Sequence, residues 1–491
     1  MKALSLSFLT AIALTIPHSL PAQGTSKNCA LLANWRPTSG NANDVWGYTD
    51  PTTGKEYCLL CTTTGTFVLD VSNPRAPVSR GFFSYAKSPG WRVSTWRDIK
   101  TYGHYAYGVT EAGGGMQIID LRKPDQPRFV KTWNFSASLW RNTHNIAIDL
   151  GTGMAYVCGT RSGMHVIDIK TNPENPHLVT TFRSPYIHDL HIQDGLAHTA
   201  DIYGNNYMIL DVSKLPAITI LARVRTPGTR YCHNNWATAD NNYSATTNES
   251  AGGPIAIWDI HNKKAPKLIA SYRANFKNAP RAIPHNVCIL DRVLHASHYT
   301  EGYRAVDLSN PAKPVEVGYY DTYKGPSSGY NGDWGVYPFA RTGNMYLSDR
   351  STGLYIVKPN ASMRRYGKGT TGTAGRLPHI YHFGAAYLGN ARFGLGVRKA
   401  KTNTAAVLVL GGKAANVTVG GLNLLVDLVS PPPVLAATGT GATGNAFFAL
   451  PMPTSTTFGG LHLFAQCFVL DAGGSSGLAA SEGLAFSTFS R

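Results

Sequence analysis

The sequence predicts an all-β fold built from one four-stranded unit repeated seven times, and three observations predict it. The first is a recurring strand ending, an apolar run closed by aspartate. It occurs at Asp70 (FVLDV), Asp120 (QIIDL), Asp168 (HVIDI), Asp211 (MILDV), Asp259 (AIWDI) and Asp307 (RAVDL). The second is spacing. These aspartates lie 50, 48, 43, 48 and 48 residues apart, and a seventh copy, LYIV ending at Val357, keeps the interval without the acid. The third is alternation within each unit. His144 to Phe182 reads as four short strands broken at Gly151, Gly153, Asn172, Pro173 and Pro176, the mark of antiparallel hairpins. One such sheet cannot bury both faces alone, whereas sheets stacked radially cover each other. The expected architecture is therefore a seven-bladed β-propeller followed by a small C-terminal β-sandwich.

Composition agrees with a turn-rich β protein. Of 491 residues 43% are hydrophobic and only 15% charged, with 50 Gly and 29 Pro, and an aromatic content of 11% excludes a disordered chain. Lys and Arg number 45 against 28 Asp and Glu, a net charge of +17. That balance would suit an anionic polymer as partner, but the charges are dispersed, as on a solvated surface. No nucleic-acid-binding module is recognisable. A monomer is expected, with an unidentified surface ligand or protein as partner.

Taken in order, residues 1–24 read as a secretory signal peptide: Lys2, the apolar run Ala3 to Ile16, then small residues before a cleavage site. No later apolar run is long enough for a transmembrane helix, so the expected location is secreted or cell-surface. Cys29 to Arg36 (CALLANWR) resembles the fourth strands of the repeats, and the last repeat stops at Val357 without one. This early strand is expected to complete the last blade and remove an open edge. The repeats span 25–360. Residues 361–378, basic and Gly/Thr-rich, read as a linker, and 379–491 as a sandwich that could anchor or sort the protein. Seven cysteines leave at least one unpaired. Cys58 and Cys61 form a CxxC on a strand, where positions three apart face opposite ways, and a Cys29–Cys58 bridge stays open.

The repeated cores FVLDVSNPRAP, AVDLSNPAKP and MQIIDLRKP resemble LVIVD repeats. The opening DVWGYTDPTTGKEYCLLCTTTGTFVLDVSNP and the stretch WRDIKTYGHYAYGVTEAGGGMQIIDL resemble the choice-of-anchor B family of exported bacterial proteins. That resemblance, over residues 29–360, implies a propeller and export but no reaction. Gly459 to Asp471 resembles a C-terminal domain of exported planctomycete proteins, which implies an attachment or sorting module.

No nucleophile elbow, HExxH helix, P-loop or dinucleotide fingerprint occurs, so whether the protein is an enzyme stays open. The candidate chemistry sits where each first strand begins: Asn43-Asp44, Arg97-Asp98, His144-Asn145, His188-Asp189, His233-Asn234, His285-Asn286 and Gly332-Asp333. The second member is always Asp or Asn and reads as architecture. The first is histidine in four successive repeats, and a departure from the repeat is where function would be grafted. Loops between second and third strands open on the same face and carry Glu111, Arg161, Asp201, His298, Glu301 and Arg350. The ligand-site candidates are therefore Arg97, Glu111, His144, His188, Asp201, His233, His285, His298 and Arg350. Three readings compete for the histidines: hydrogen bonds between blades, a polar ligand site, or a metal site of His144, His188, His233 and His285 for a transition metal such as Fe, Cu or Zn. The last would allow a metal-dependent enzyme, an oxidoreductase among the options.

Overall fold

A computed structural model of the chain describes residues 25–85, 93–183, 185–228, 230–274, 279–326, 329–429 and 431–491. The expected signal peptide, 1–24, lies outside the described residues. The first repeat folds as its alternation dictates, with Ala42–Thr49, Glu56–Thr62, Gly65–Asp70 and Val78–Ser84 pairing antiparallel in sequence order. Its second and third strands are buried throughout, because neighbouring sheets cover both faces, while the fourth is only partly covered. The same four-strand order recurs in the sheets that begin at Arg97–Tyr102, Asn145–Asp149, Asp189–Gln193, Cys232–Ala237 and Val287–Leu290. Helix among the described residues is limited to short 3-10 turns such as Ala279–Arg281, and no described helix is long and apolar enough to cross a membrane.

A further sheet holds Asp333–Tyr337, Met345–Asp349 and Gly353–Pro359. Its outer strand is Cys29–Trp35, as the sequence predicts, running from Trp35 opposite Leu354 to Cys29 opposite Pro359. The residues just before it go elsewhere. Ser26–Lys27 adds a fifth strand beside Val315–Tyr320, and Asn28, with φ of 51° in the left-handed region that Asn tolerates, turns the chain between the two sheets. First strands of successive sheets touch in turn, and Asp333–Tyr337 touches Ala42–Thr49, so the array closes on itself.

The cores lie between sheets. Tyr57, Leu59 and Val68 of the first sheet pack on Ile99, Ala106 and Ile119 of the second, and Tyr107 and Ile118 of the second pack on Ile146 and Val157 of the third. Each fully buried aliphatic side chain there contributes about 1.5–3 kcal/mol of transfer free energy. The repeated aspartates are turn-formers, as expected. Asp70, Asp120, Asp168, Asp211, Asp259 and Asp307 each accept the backbone N–H two residues on, at 2.8–3.0 Å. All seven cysteines are free and buried, so no Cys29–Cys58 bridge forms. Cys58 faces one inter-sheet core and Cys61 the other.

Beyond Pro359 the chain departs from the expected linker. Arg364–Tyr366 pairs with Gly483–Ala485, and Thr370 bridges Ala480, so this stretch belongs to the C-terminal sheets. Those comprise a six-stranded sheet around His462–Ser475, a three-stranded sheet of His379–Phe383, Gly394–Arg398 and Ala446–Ala449, and a hairpin of Ala414–Val419 and Leu422–Val426. They share one core, in which Ile380, Leu395 and Val397 meet Leu408, Cys467 and Leu484. This unit docks on the repeats through polar contacts. Arg365 pairs with buried Asp291 at 2.6 Å, and the Ala385 N–H donates to Asp307 Oδ2 at 2.5 Å. Ala385 and Phe489 also join the core of the sixth and seventh sheets.

Candidate functional site

The first strands converge, and the residues that open them face one another. His144 and His188 immediately precede Asn145–Asp149 and Asp189–Gln193, His233 lies within Cys232–Ala237, and His285 stands just ahead of Val287–Leu290. Backbone bonds to the second strand fix three of them: His144 N–H to Cys158 O (3.0 Å), His188 N–H to Ala200 O (2.8 Å) and His285 N–H to Ser297 O (3.0 Å). Gly159 permits the approach at His144, because at its φ of +69° a Cβ would lie 2.1 Å from the His144 Cβ.

The four imidazoles form a continuous run. Ring centroids are 3.9 Å apart for His144 and His188, 4.5 Å for His188 and His233, and 4.4 Å for His233 and His285. All four are buried. Two ligand-grade sets result, His144, His188 and His233, then His233, Glu249 and His285, each with one donor atom per residue and all within 4.8 Å of one another. Beyond His285 the run ends on Tyr299 and Trp334, 4.7 and 4.4 Å away. It stops because Gly332 replaces histidine in the seventh sheet. Its φ is +94°, and a Cβ there would meet the Tyr299 carbonyl oxygen at 2.4 Å.

Partners of Nδ1 set the tautomers. Glu111 Oε1 lies 2.6 Å from His144 Nδ1, the Trp334 carbonyl 2.5 Å from His285 Nδ1, and the His233 carbonyl 3.4 Å from His188 Nδ1. These acceptors favour a proton on Nδ1, which in the neutral ring leaves Nε2 with its lone pair. Glu249 faces the other two nitrogens, 3.6 Å from His233 Nε2 and 3.9 Å from His285 Nε2, and accepts the Tyr299 hydroxyl at 2.6 Å. His233 Nδ1 is buried without a partner. Burial, then the charges of His144 and His233, hold His188 well below the usual imidazole range. Burial followed by His233 does the same for His285. Burial also pulls on His144, but the bond and charge of Glu111 outweigh it, and its imidazole sits above the usual range.

The LVIVD repeat family matches residues 301–322. Two solved structures share the architecture. "Structure of U3-55K" aligns over 67% of this chain and 98% of its own, with a TM-score of 0.51 at 9% identity. "Crystal structure of RRP9 WD40 repeats" aligns over 69% and 98%, with a TM-score of 0.51 at 10% identity. No curated protein matches. The chain folds as a β-propeller and carries one LVIVD repeat, at residues 301–322. At these identities the likeness shows the fold alone.

The other predicted site residues distribute unevenly about this end of the propeller. Arg97 borders a cavity of about 10 Å³ shared with His144, His233 and His285. Its guanidinium stacks 3.9 Å from the Tyr85 ring centroid and donates to Thr63 O at 3.0 Å, while Nε and Nη1 are buried without partners. Arg350 lies over the Trp334 ring at 5.2 Å and donates to Tyr330 O. His298 is buried, both ring nitrogens lack partners, and burial pushes it down to about 3. Asp201 does not join the histidines. Its carboxylate is occupied by Gly204 N–H, the Asn206 amide and Arg223 at 2.8 Å, a turn-and-ion-pair role. Glu301 pairs with Arg304 at 3.1 Å, and Arg161 is exposed.

Glu249, Tyr299 and Trp334 are the participants that sequence reasoning missed. Glu249 had a readable signal. It follows the second strand Tyr243–Asn248 as Glu111 follows Tyr105–Thr110. The invariant Asp/Asn positions below the histidines are partly architectural: Asp98 Oδ2 accepts the Ile146 N–H and Asn234 Oδ1 the Val287 N–H of the next sheet, both at 2.9 Å.

Proposed function

We propose that this protein is an exported, cell-surface binding module whose ligand site is the histidine end of the propeller channel, and that the site takes a divalent transition metal. The domain reading that accompanies it is a signal peptide over 1–24, a seven-bladed ring within 25–360, and a C-terminal sandwich over 379–491 serving attachment, in keeping with the choice-of-anchor B resemblance. Closure of the first strands and the two-sheet core of the C-terminal unit support the ring and the sandwich.

The observation that carries the metal reading is the arrangement of nitrogens. His144, His188 and His285 each have Nδ1 engaged by a carboxylate or carbonyl, which turns Nε2 into the free donor, and carboxylate–histidine pairs of this kind orient metal ligands. Metal–nitrogen bonds of about 2.0–2.1 Å require donors about 3–4 Å apart. Atoms already within 4.8 Å reach that spacing by modest ring rotation. The low proton affinity of His188 and His285 keeps both neutral, as ligation demands. A nitrogen-rich set with one carboxylate favours Zn, Fe, Cu or Ni over Mg or Ca.

Elemental analysis of protein purified without chelators tests this. About one equivalent of a transition metal should copurify or reload after stripping, and the His188→Ala, His233→Ala double variant should retain under one-tenth of it. Failure of the stripped wild type to bind Zn²⁺ or Co²⁺ would reduce the imidazoles to a structural stack, and the double variant would then lose thermal stability alone.

A further inference from the structure

The opposite end of the channel holds a second site, built between the propeller and the C-terminal unit. A chamber of about 1420 Å³ lies there, and all the propeller sheets contribute to its floor, from Trp46 and Lys100 through Ile148, His191, Trp236 and Leu290 to Phe339. Its roof comes from the C-terminal unit, at Arg376, Leu377, Arg398, Lys399 and Thr443. The volume exceeds the roughly 300–1,000 Å³ that one drug-sized ligand fills, so an extended ligand suits it.

Two features identify the chemistry. The floor is an aromatic platform. Trp236 stacks on His191 with centroids 4.1 Å apart and on Phe339 at 5.5 Å, and Trp46 meets Phe339 at 5.9 Å and Tyr337 at 5.0 Å. Trp46, Trp236 and Phe339 line the chamber half-buried, each also packing against an inter-sheet core, with Lys100 Nζ 4.4 Å over the Trp46 ring. The charges lining the chamber cancel. Carboxylates Asp149, Asp194, Asp291 and Glu482 match cations Lys100, Arg376, Arg398 and Lys399 in number. Several are already paired: Lys100 with Asp98, Arg398 with Asp291 at 3.5 Å, and Glu482 with His379 at 2.7 Å. A strongly anionic or cationic ligand has no surplus charge to meet. Flat ring faces beside mixed donors and acceptors instead match a molecule with an apolar CH face and a hydroxylated edge. We infer that the chamber between the propeller and its C-terminal unit binds a neutral oligosaccharide, with Trp46, Trp236 and Phe339 as stacking surfaces.

The test is tryptophan fluorescence and array binding of the full chain against neutral α- and β-linked hexasaccharides of glucose, mannose and N-acetylglucosamine, with oligogalacturonate as the anionic control. A neutral saccharide should saturate the fluorescence change, and Trp236→Ala should weaken it at least tenfold. Ala239→Trp, which adds bulk from an exposed turn on the chamber wall, should abolish it while circular dichroism matches the parent. Absence of saturable binding by every neutral saccharide, binding of oligogalacturonate alone, or undiminished binding by Ala239→Trp would each overturn the inference. A parallel His188→Ala, His233→Ala variant should bind the saccharide normally, which separates this site from the metal site.

Discussion

Replacing Glu111 by Gln removes the charge that holds the His144 imidazole above its usual range while leaving a group of the same shape beside Nδ1. In Glu111→Gln the His144 ring should therefore titrate at lower pH than in the parent, read by heteronuclear NMR on metal-free protein; an unmoved titration would place the controlling charge elsewhere. A second residue-scale prediction concerns the ions beneath the histidines. Half-buried Lys100 reaches Asp98 and lies 3.5 Å from Asp44, both carboxylates being buried. Burial pushes Asp44 up, with Asp98 adding to it, whereas Lys100 and its hydrogen bonds keep Asp98 ionised despite burial. Asp98→Ala leaves Lys100 only the more distant Asp44 and removes the acceptor for the Ile146 N–H. Its cost should be about 3–5 kcal/mol in a denaturant melt. The four histidines were legible because they depart from a repeat that is otherwise uniform at that position. For Asp201 a loop position alone does not reveal that Arg223 and a turn already occupy the carboxylate. Glu249 escaped for the converse reason, since its role depends on two side chains of the next repeat, His285 and Tyr299.

At the scale of elements, the strand Cys29–Trp35 is the most consequential. It supplies the outer edge of the last sheet, and Trp35 packs edge-on against Phe67 of the first sheet at 5.2 Å. A chain starting at Asn41 should melt lower by roughly 5–10 °C, the equivalent of a few kcal/mol at about 2–4 °C each. An unchanged melting temperature would mean that the edge needs no cover. This strand could be read in advance because its pattern matches the other fourth strands and the last repeat lacks one. Arg364–Tyr366 could not. Three residues are too short to display a period, and what recruits them is the distant edge at Gly483–Ala485.

For the molecule as a whole, buried neutral histidines set the acid response. Burial holds His165 and His198 down to about 4 and His295 to about 3, and keeps His188, His191 and His285 well below the usual range. Unfolded, each takes up a proton below about pH 6.5. Their contribution is thus complete above about 6.5 and is lost as pH falls towards 3. His144 acts in the opposite sense, its contribution being present below about 6.5 and fading as pH rises, but it is outnumbered. Melts of metal-free protein should fall progressively between pH 6.5 and 4.5, and a flat profile over that range would contradict the burial of these rings. The propeller itself was readable from period and alternation, whereas the docking of the C-terminal unit was not, because Asp291 and Arg365 belong to segments with no common pattern.

The closing strand also imposes an order in time. Asn34 donates its amide to the carbonyl of Thr352, a partner 318 residues further along. During synthesis this strand emerges among the first residues described, yet it has nothing to pair with until the last sheet exists. Bringing segments that far apart together carries a loop-closure entropy of about 5 kcal/mol if nothing between them is formed. Sheets that stack in sequence shorten that search step by step, so each repeat laid down delivers the chain's end closer to its beginning. The seam should accordingly be the final event of folding, and its rate should track how completely the intervening sheets have assembled.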